Sequence, residues 1–217
     1  MNDSFLINTA LFRGTSVEEA REMLRCLGSY EKEYEKGAVI FRAGESVDSM
    51  GMVLSGSVTI EIDSLWGDKT ILGRVEAGQL FGETYACIPG EPLMVSVAAC
   101  EKSRILFLNA DRLLATCSNS CAYHNKLVRN LLQISAQKNL ALSRRSLHTS
   151  PKSIRGRLLS YLSEQARLNG SYQFTIPFSR QQLADYLGVD RSAMSNELSK
   201  MRREGLLRFE KNRFLLR

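Results

Sequence analysis

Phe178-Ser179-Arg180-Gln181-Gln182-Leu183-Ala184-Asp185-Tyr186-Leu187-Gly188-Val189-Asp190-Arg191 is the stretch on which the fold turns. Ser179 and Gln182 make an S-x-x-Q capping box, which predicts a helix start. That helix would bury Leu183, Ala184 and Leu187, and Gly188 supplies a tight turn after it. Asp190 is placed to cap the next helix. At about 100° per residue that second helix sorts into two faces. Met194, Leu198 and Met201 lie on one, and Arg191, Ser192, Ser195, Asn196, Ser199 and Arg202 on the other. A helix, a glycine turn and a helix with one apolar and one polar-basic face predict a helix-turn-helix.

In that arrangement the second helix enters the major groove. Arg191 has the donors to pair with guanine O6/N7, and Asn196 the groups to pair with adenine N6/N7. Ser192 and Ser195 suit bases or phosphates, and Ser199 and Lys200 extend the same DNA-facing set. Ser179, Arg180 and Gln181 stand at a helix N-terminus, where backbone N–H groups favour a phosphate. Downstream, Leu206 to Leu215 reads as a two-stranded hairpin turning near Lys211-Asn212, which predicts a wing.

Upstream, Ile154, Leu158, Leu159 and Leu162 predict an amphipathic helix ending before Asn169-Gly170. Tyr172 to Phe178 reads as extended, and Thr149-Ser150-Pro151 marks a boundary. Before it, from about Asn119 to Arg145, His124, Leu127, Leu131, Ile134, Lys138 and Ala141 recur at spacings of three and four. A helix of that length spans ~40 Å. A small barrel does not cover it, so the seam predicts homodimerisation through this helix. The alternative is a helix packed on its own barrel, since Lys138 interrupts the seam.

The first part of the chain differs. Nine of the fifteen glycines fall between Gly37 and Gly90, and none between Glu91 and Arg155. Short β-type runs alternate with them, over 38–41, 51–54, 58–62, 70–72 and 80–81, followed by 95–98 and 105–108. That spacing predicts an antiparallel sandwich or barrel. Ser16 with Glu19 is a further capping box, ahead of a short helix. The expected class is therefore α+β: an N-terminal β-roll over 1–118, a long dimerisation helix over 119–147, and a winged helix-turn-helix over 148–217.

Charge divides along the same line. Residues 1–147 hold 16 Lys and Arg against 17 Asp and Glu, whereas 148–217 hold 13 against 6. Net charges of −1 and +7 direct a polyanion to the C-terminal module. No apolar run approaches the ~20 residues of a membrane span, and Met1-Asn2-Asp3-Ser4 lacks the form of a signal peptide. Five cysteines, an odd number, fit a reducing cytoplasm. A β-roll metalloenzyme would need a His and carboxylate cluster inside the barrel. The chain's histidines, His124 and His148, both lie outside the strand region, so no enzyme is expected.

With Arg180-Gln181-Gln182-Leu183-Ala184, Gly188-Val189-Asp190-Arg191-Ser192 and Gly78-Gln79-Leu80-Phe81-Gly82-Glu83, nearly the whole chain resembles the CRP/FNR superfamily of bacterial transcription regulators. The resemblance implies a β-roll sensor like a cyclic-nucleotide-binding jelly roll and a homodimer on a two-fold symmetric double-stranded DNA site. It also implies contact with RNA polymerase. The base-reading positions carry over onto Arg191, Ser192, Ser195 and Asn196. Relatives often carry Glu where Ser192 stands and Arg where Asn196 stands, which implies a different operator.

In members that bind cyclic nucleotides, the Gly-Glu pair is followed about ten residues on by Arg-Ser or Arg-Thr. There the Arg neutralises the phosphate and the Glu holds the ribose. Here Gly82 and Glu83 stand, but the corresponding stretch is Pro92-Leu93-Met94-Val95-Ser96, and no basic residue occurs between Arg74 and Lys102. An anion in a partly buried pocket without a cation is costly, which argues against cAMP. The expected effector pocket comprises Phe81, Gly82, Glu83, Thr84, Leu93, Met94, Val95, His124 and Leu127, suited to an uncharged effector. The alternative sensor is Cys117-x-x-x-Cys121-x-x-His124, whose ligand types suit haem or another metal, or a thiol redox pair. The N-terminal cysteine cluster of iron–sulfur members is missing, with only Cys26 early in the chain. A sensor decayed to a dimerisation scaffold is the remaining alternative.

Overall fold

A computed structural model describes residues 3–63, 69–115 and 122–217, and the chain divides into two compact units, Met1–Ala136 and Gln137–Arg217. In the first, short helices α1 (Asp3–Leu6) and α2 (Val17–Cys26) precede strands β1 (Tyr30–Tyr34), β2 (Val39–Phe41), β3 (Ser49–Ser55), β4 (Ser57–Asp63), β5 (Lys69–Glu76) and β6 (Leu80–Phe81). Helix α3 (Glu83–Ala86), β7 (Ser96–Ala99), β8 (Ser103–Asn109) and α4 (Ala110–Leu114) follow. Helix α5 (Ala122–Thr149) begins in this unit and ends in the other.

The strands form two antiparallel sheets, ordered β1-β8-β3-β6 and β2-β7-β4-β5. Side chains alternate along a strand, and β3 and β8 are apolar through their middles, over 50–54 and 105–108, so both faces of their sheet can be buried there. Val53, Ile105 and Phe107 join Phe41, Val58, Val75, Phe81 and Val97 in a core to which both sheets contribute. Met50, Met52, Leu54, Leu106 and Leu108 point the other way, into a second core. That core also holds Leu6, Leu11, Phe12, Met23 and Leu24 of the N-terminal segment and Leu127 and Leu131 of α5. Gly51 opens the space Phe81 fills, because a Cβ there would stand 2.2 Å from the Phe81 ring.

Helix α5 is also tied to the N-terminal segment by polar bonds. Asn130 Nδ2 donates to the carbonyls of Leu11 (2.7 Å) and Arg13 (3.0 Å). Lys126 Nζ reaches the Gly14 carbonyl at 3.0 Å and Glu19 at 3.3 Å. The expected dimer seam is thereby corrected. His124, Leu127 and Leu131 are buried in their own unit and Ile134 packs against its core. Spacing of three and four marks a covered face but does not say what covers it. The exposed large hydrophobic residues of α5, among those described, are Leu132, Leu140, Leu142 and Leu147.

The second unit contains the end of α5, α6 (Ile154–Asn169), β9 (Gln173–Thr175), α7 (Arg180–Leu187), α8 (Arg191–Arg203), β10 (Leu207–Glu210) and β11 (Arg213–Leu216). Its three strands order β10-β11-β9. Its core gathers Leu158, Leu162, Leu183, Leu187, Met194, Leu198, Met201, Leu207 and Phe214. The expected boundaries at 118/119 and 147/148 are not those of the compact units. Helix α5 divides between them because Leu127 and Leu131 belong to the first core, whereas Arg145 and His148 bind within the second unit.

Candidate nucleic-acid interface and sensor core

The helix-turn-helix forms where its caps direct. Ser179 and Gln182 complete the capping box at the start of α7, with the Ser179 N–H donating to Gln182 Oε1 at 2.8 Å. Gly188 ends α7 at φ 63°, a left-handed conformation that glycine adopts without steric cost. The Ala193 N–H donates to Asp190 Oδ1 at 2.7 Å and fixes the start of α8.

The C-terminal carbonyls of α7 carry the negative end of its dipole, and two arginines meet them. Arg145 donates to the Tyr186 and Asp185 carbonyls, both at 3.1 Å. Arg157 donates to the Leu187 and Gly188 carbonyls at 2.9 and 3.0 Å. His148, buried, sits 2.8 Å from Glu164 through Nε2 and 2.9 Å from the Tyr186 hydroxyl through Nδ1. Both ring nitrogens are thereby satisfied, Nε2 by donating to the carboxylate and Nδ1 by the hydroxyl, which can donate or accept.

Helix α8 buries Met194, Leu198 and Met201 and leaves Arg191, Ser192, Asn196, Lys200 and Arg202 exposed. Ser195 Oγ donates to the Arg191 carbonyl (2.9 Å) and Ser199 Oγ to the Ser195 carbonyl (3.0 Å), so both hydroxyls present acceptors outward. Gln181 donates to Asp185 within α7 at 2.8 Å. Arg180 departs from the sequence-based expectation: it is half-buried, stacked on the wing, and donates to the Lys211 carbonyl.

Arg155 links α6 to α8, pairing with Glu197 and, through two nitrogens at 2.8 Å each, with Glu204. The Arg155 guanidinium holds the Glu204 carboxyl below the usual carboxylate range. A group depressed in the folded state stabilises above its unfolded pKa, and that contribution is lost as acid protonates it. Arg155→Met should therefore melt lower than wild type at neutral pH, and the gap should narrow as pH falls below 4. A pH-independent gap in thermal melts would refute the pairing as its source.

In the first unit the expected effector residues do not form one set. Phe81 and Leu93 lie in the core between the sheets, Leu127 lies in the other core, Thr84 is exposed, and Met94 is 74% exposed. Gly82 caps α3, Glu83 is buried in its first turn, and Val95 is half-buried. The cations flanking the basic-free stretch meet carboxylates: Arg74 pairs with Glu76 at 2.9 Å and Glu101 at 3.3 Å. Lys102 pairs with Glu35 at 3.3 Å and Glu33 at 3.7 Å.

Cys117 and Cys121 lie outside the described residues, and among the described residues no three His, Cys, Asp or Glu stand together as a metal site. His124 is 8% exposed, and neither ring nitrogen has a hydrogen-bond partner among the described residues. Burial, with Glu83 and Asp111 near, pushes the Cys87 thiol up, away from the reactive thiolate.

The packing of the N-terminal segment against α5 was absent from the sequence-based expectations. So was β1, whose sequence Tyr30-Glu31-Lys32-Glu33-Tyr34 reads as polar. Its signal lies in charge order: diagonal to the register with β8, Glu31 reaches Arg104 at 3.6 Å, and Glu33 reaches Lys102, just before β8, at 3.7 Å.

Residues 31–120 match the family described as cyclic nucleotide-binding domain, and residues 156–217 match the Crp-like helix-turn-helix domain. The chain is 28% identical over 193 residues to the CRP-like protein Clp of Xanthomonas campestris, covering 82% of this chain and 80% of that one. It is 21% identical over 209 residues to the CRP-like cAMP-activated global transcriptional regulator of Mycobacterium tuberculosis, covering 96% and 92%. In fold it is similar to the solved catabolite activator protein of Thermus thermophilus, with a TM-score of 0.52, 24% identity and coverage of 96% and 94%. No described helix is long and apolar enough to cross a membrane. With both domain types on one chain and bacterial regulators of the same build as relatives, the protein belongs to the CRP/FNR superfamily, as a DNA-binding transcription regulator and not an enzyme.

Proposed function

We propose that the protein acts as a cytoplasmic homodimer that reads a palindromic duplex operator through Arg191, Ser192, Ser195 and Asn196, and that contacts RNA polymerase. An effector other than a cyclic nucleotide controls it. The observation that carries the DNA-reading assignment is α8, capped by Asp190, with Met194, Leu198 and Met201 buried and its polar-basic face exposed. Ser179 and Gln181 at the start of α7, with Ser199 and Lys200 on α8, supply backbone contacts. The Mycobacterium tuberculosis relative is named for activation by cAMP. That ligand is not transferred here, because Arg74 and Lys102 pair with carboxylates and the stretch between them holds no cation. Phe81, Gly82, Glu83, Leu93 and Val95 instead suit a small uncharged effector.

A second reading has its own observation. A buried imidazole with both nitrogens unpartnered is costly, and His124 has no partner among the described residues. As a ligand, together with Cys117 and Cys121, it would hold haem iron or another metal, which would supply gas- or redox-responsiveness.

The test is a visible spectrum and metal analysis of anaerobically purified protein, followed by operator selection with and without candidate effectors. A single enriched palindrome supports the main reading, and no enriched sequence would defeat it. A Soret band or stoichiometric metal that His124→Ala alters supports the second reading. A colourless, metal-free protein that binds its operator removes it.

A further inference from the structure

The wing turns on a residue in an unfavourable conformation. Lys211 has φ 49°, in the left-handed region that a residue with a side chain rarely adopts. Such a conformation persists only where the surroundings fix it, and here two contacts do. Asn212 brackets Ile176, its carbonyl accepting from the Ile176 N–H at 2.9 Å and its Nδ2 donating to the Ile176 carbonyl at 3.1 Å. Arg180, from the first turn of α7, donates through Nη2 to the Lys211 carbonyl.

The Arg180 guanidinium lies 5.0 Å from the Phe209 ring centroid and 5.1 Å from that of Phe214, one ring on each wing strand. Arg202, on α8, lies 5.2 Å from Phe209. The two rings are themselves 5.9 Å apart. A planar guanidinium can lie flat against two aromatic rings and still direct an N–H at a carbonyl, whereas a compact ammonium offers no plane to stack between them. Burial also lowers the Arg180 pKa, as for a cation withdrawn from solvent.

We propose that Arg180 is a positioning residue that sets the wing tip against the helix-turn-helix, presenting Lys211 to the duplex backbone, and is not itself a phosphate ligand. This rests on the DNA-reading assignment above and deepens it. Lys211 and Arg213, exposed on either side of Asn212, are the cations at the wing tip. Their register relative to α8 is held by the Arg180–Phe209–Arg202 stack.

The experiment measures duplex affinity against salt for the full chain and for Arg180→Lys, Arg180→Ala, Lys211→Ala and the Arg180→Ala/Lys211→Ala double variant. Amide exchange over residues 209–214 is followed without DNA. Expected are roughly tenfold losses for both Arg180 variants, with Lys as poor as Ala. The double variant should be no weaker than the weaker single variant, and wing exchange should be faster in both Arg180 variants. If Arg180→Lys keeps wild-type affinity while Arg180→Ala loses about one unit of salt slope and adds to Lys211→Ala, Arg180 is a phosphate ligand and the proposal falls. Unchanged wing exchange overturns it equally, with the DNA-reading assignment intact. A wild-type chain that binds no duplex overturns that assignment and takes the proposal with it.

Discussion

Leu140→Glu should convert the protein to a monomer by light scattering and lower its operator affinity by about a hundredfold or more. Leu132, Leu140 and Leu147 are 68%, 51% and 67% exposed on a 28-residue helix. At about 100° per residue they fall within about 80° of arc, whereas the exposed Leu142 lies outside it. Each leucine removed from water is worth about 1.5–3 kcal/mol, and two-fold pairing applies that gain on both helices. A glutamate at Leu140 would meet its own copy across the axis, adding like-charge repulsion to lost burial. Without the dimer, the second half-site contact is no longer intramolecular, a change worth about 10²–10⁴ in affinity. The contrast is Leu131→Glu. Leu131 is 5% exposed in the core of the first unit, so a charge there should lower the melting temperature of that unit whatever the oligomeric state. A Leu140→Glu chain that remains dimeric would remove this face as the interface.

What was legible in the sequence is what local chemistry dictates. Ser16 with Glu19, Ser179 with Gln182, and Asp190 each specify a helix start through a side-chain acceptor within three residues, and all form as expected. Met194, Leu198 and Met201 lie on one face by periodicity alone and are buried. The β-runs at 51–54 and 105–108 were legible because each feeds two cores and is an unbroken apolar stretch. Strand β1 was not, because its pairing with β8 is tertiary and its sequence alternates charge. Arg180 illustrates the same limit at the interface. Its position at a helix N-terminus predicts a phosphate ligand, but Phe209 and Phe214, some thirty residues on, stack against it. His124, Leu127 and Leu131 are periodic, and the partner of that face proved to be the chain's own core.

The second large effect is expected on α8, where Arg191→Ala and Asn196→Ala should each cost about 1–3 kcal/mol at one base pair and relax the preference there. Arg191 opens the helix and Asn196 follows five residues later, so at about 100° per residue they lie some 140° apart, at the two edges of the polar arc. They would then address different base pairs, and the two losses should be additive because no shared partner couples them. Ser195 and Ser199 already donate their hydroxyl protons to helix carbonyls. Each can only accept from a base, so Ser195→Ala should cost less than either. Lys200, exposed farther along, should act on the backbone, its loss weakening all sequences alike and lowering the salt slope by about one. Binding to a panel of single-base operator variants separates these outcomes. If Arg191→Ala weakens every variant equally, Arg191 is a phosphate contact, and base discrimination on this helix passes to Ser192 and Asn196.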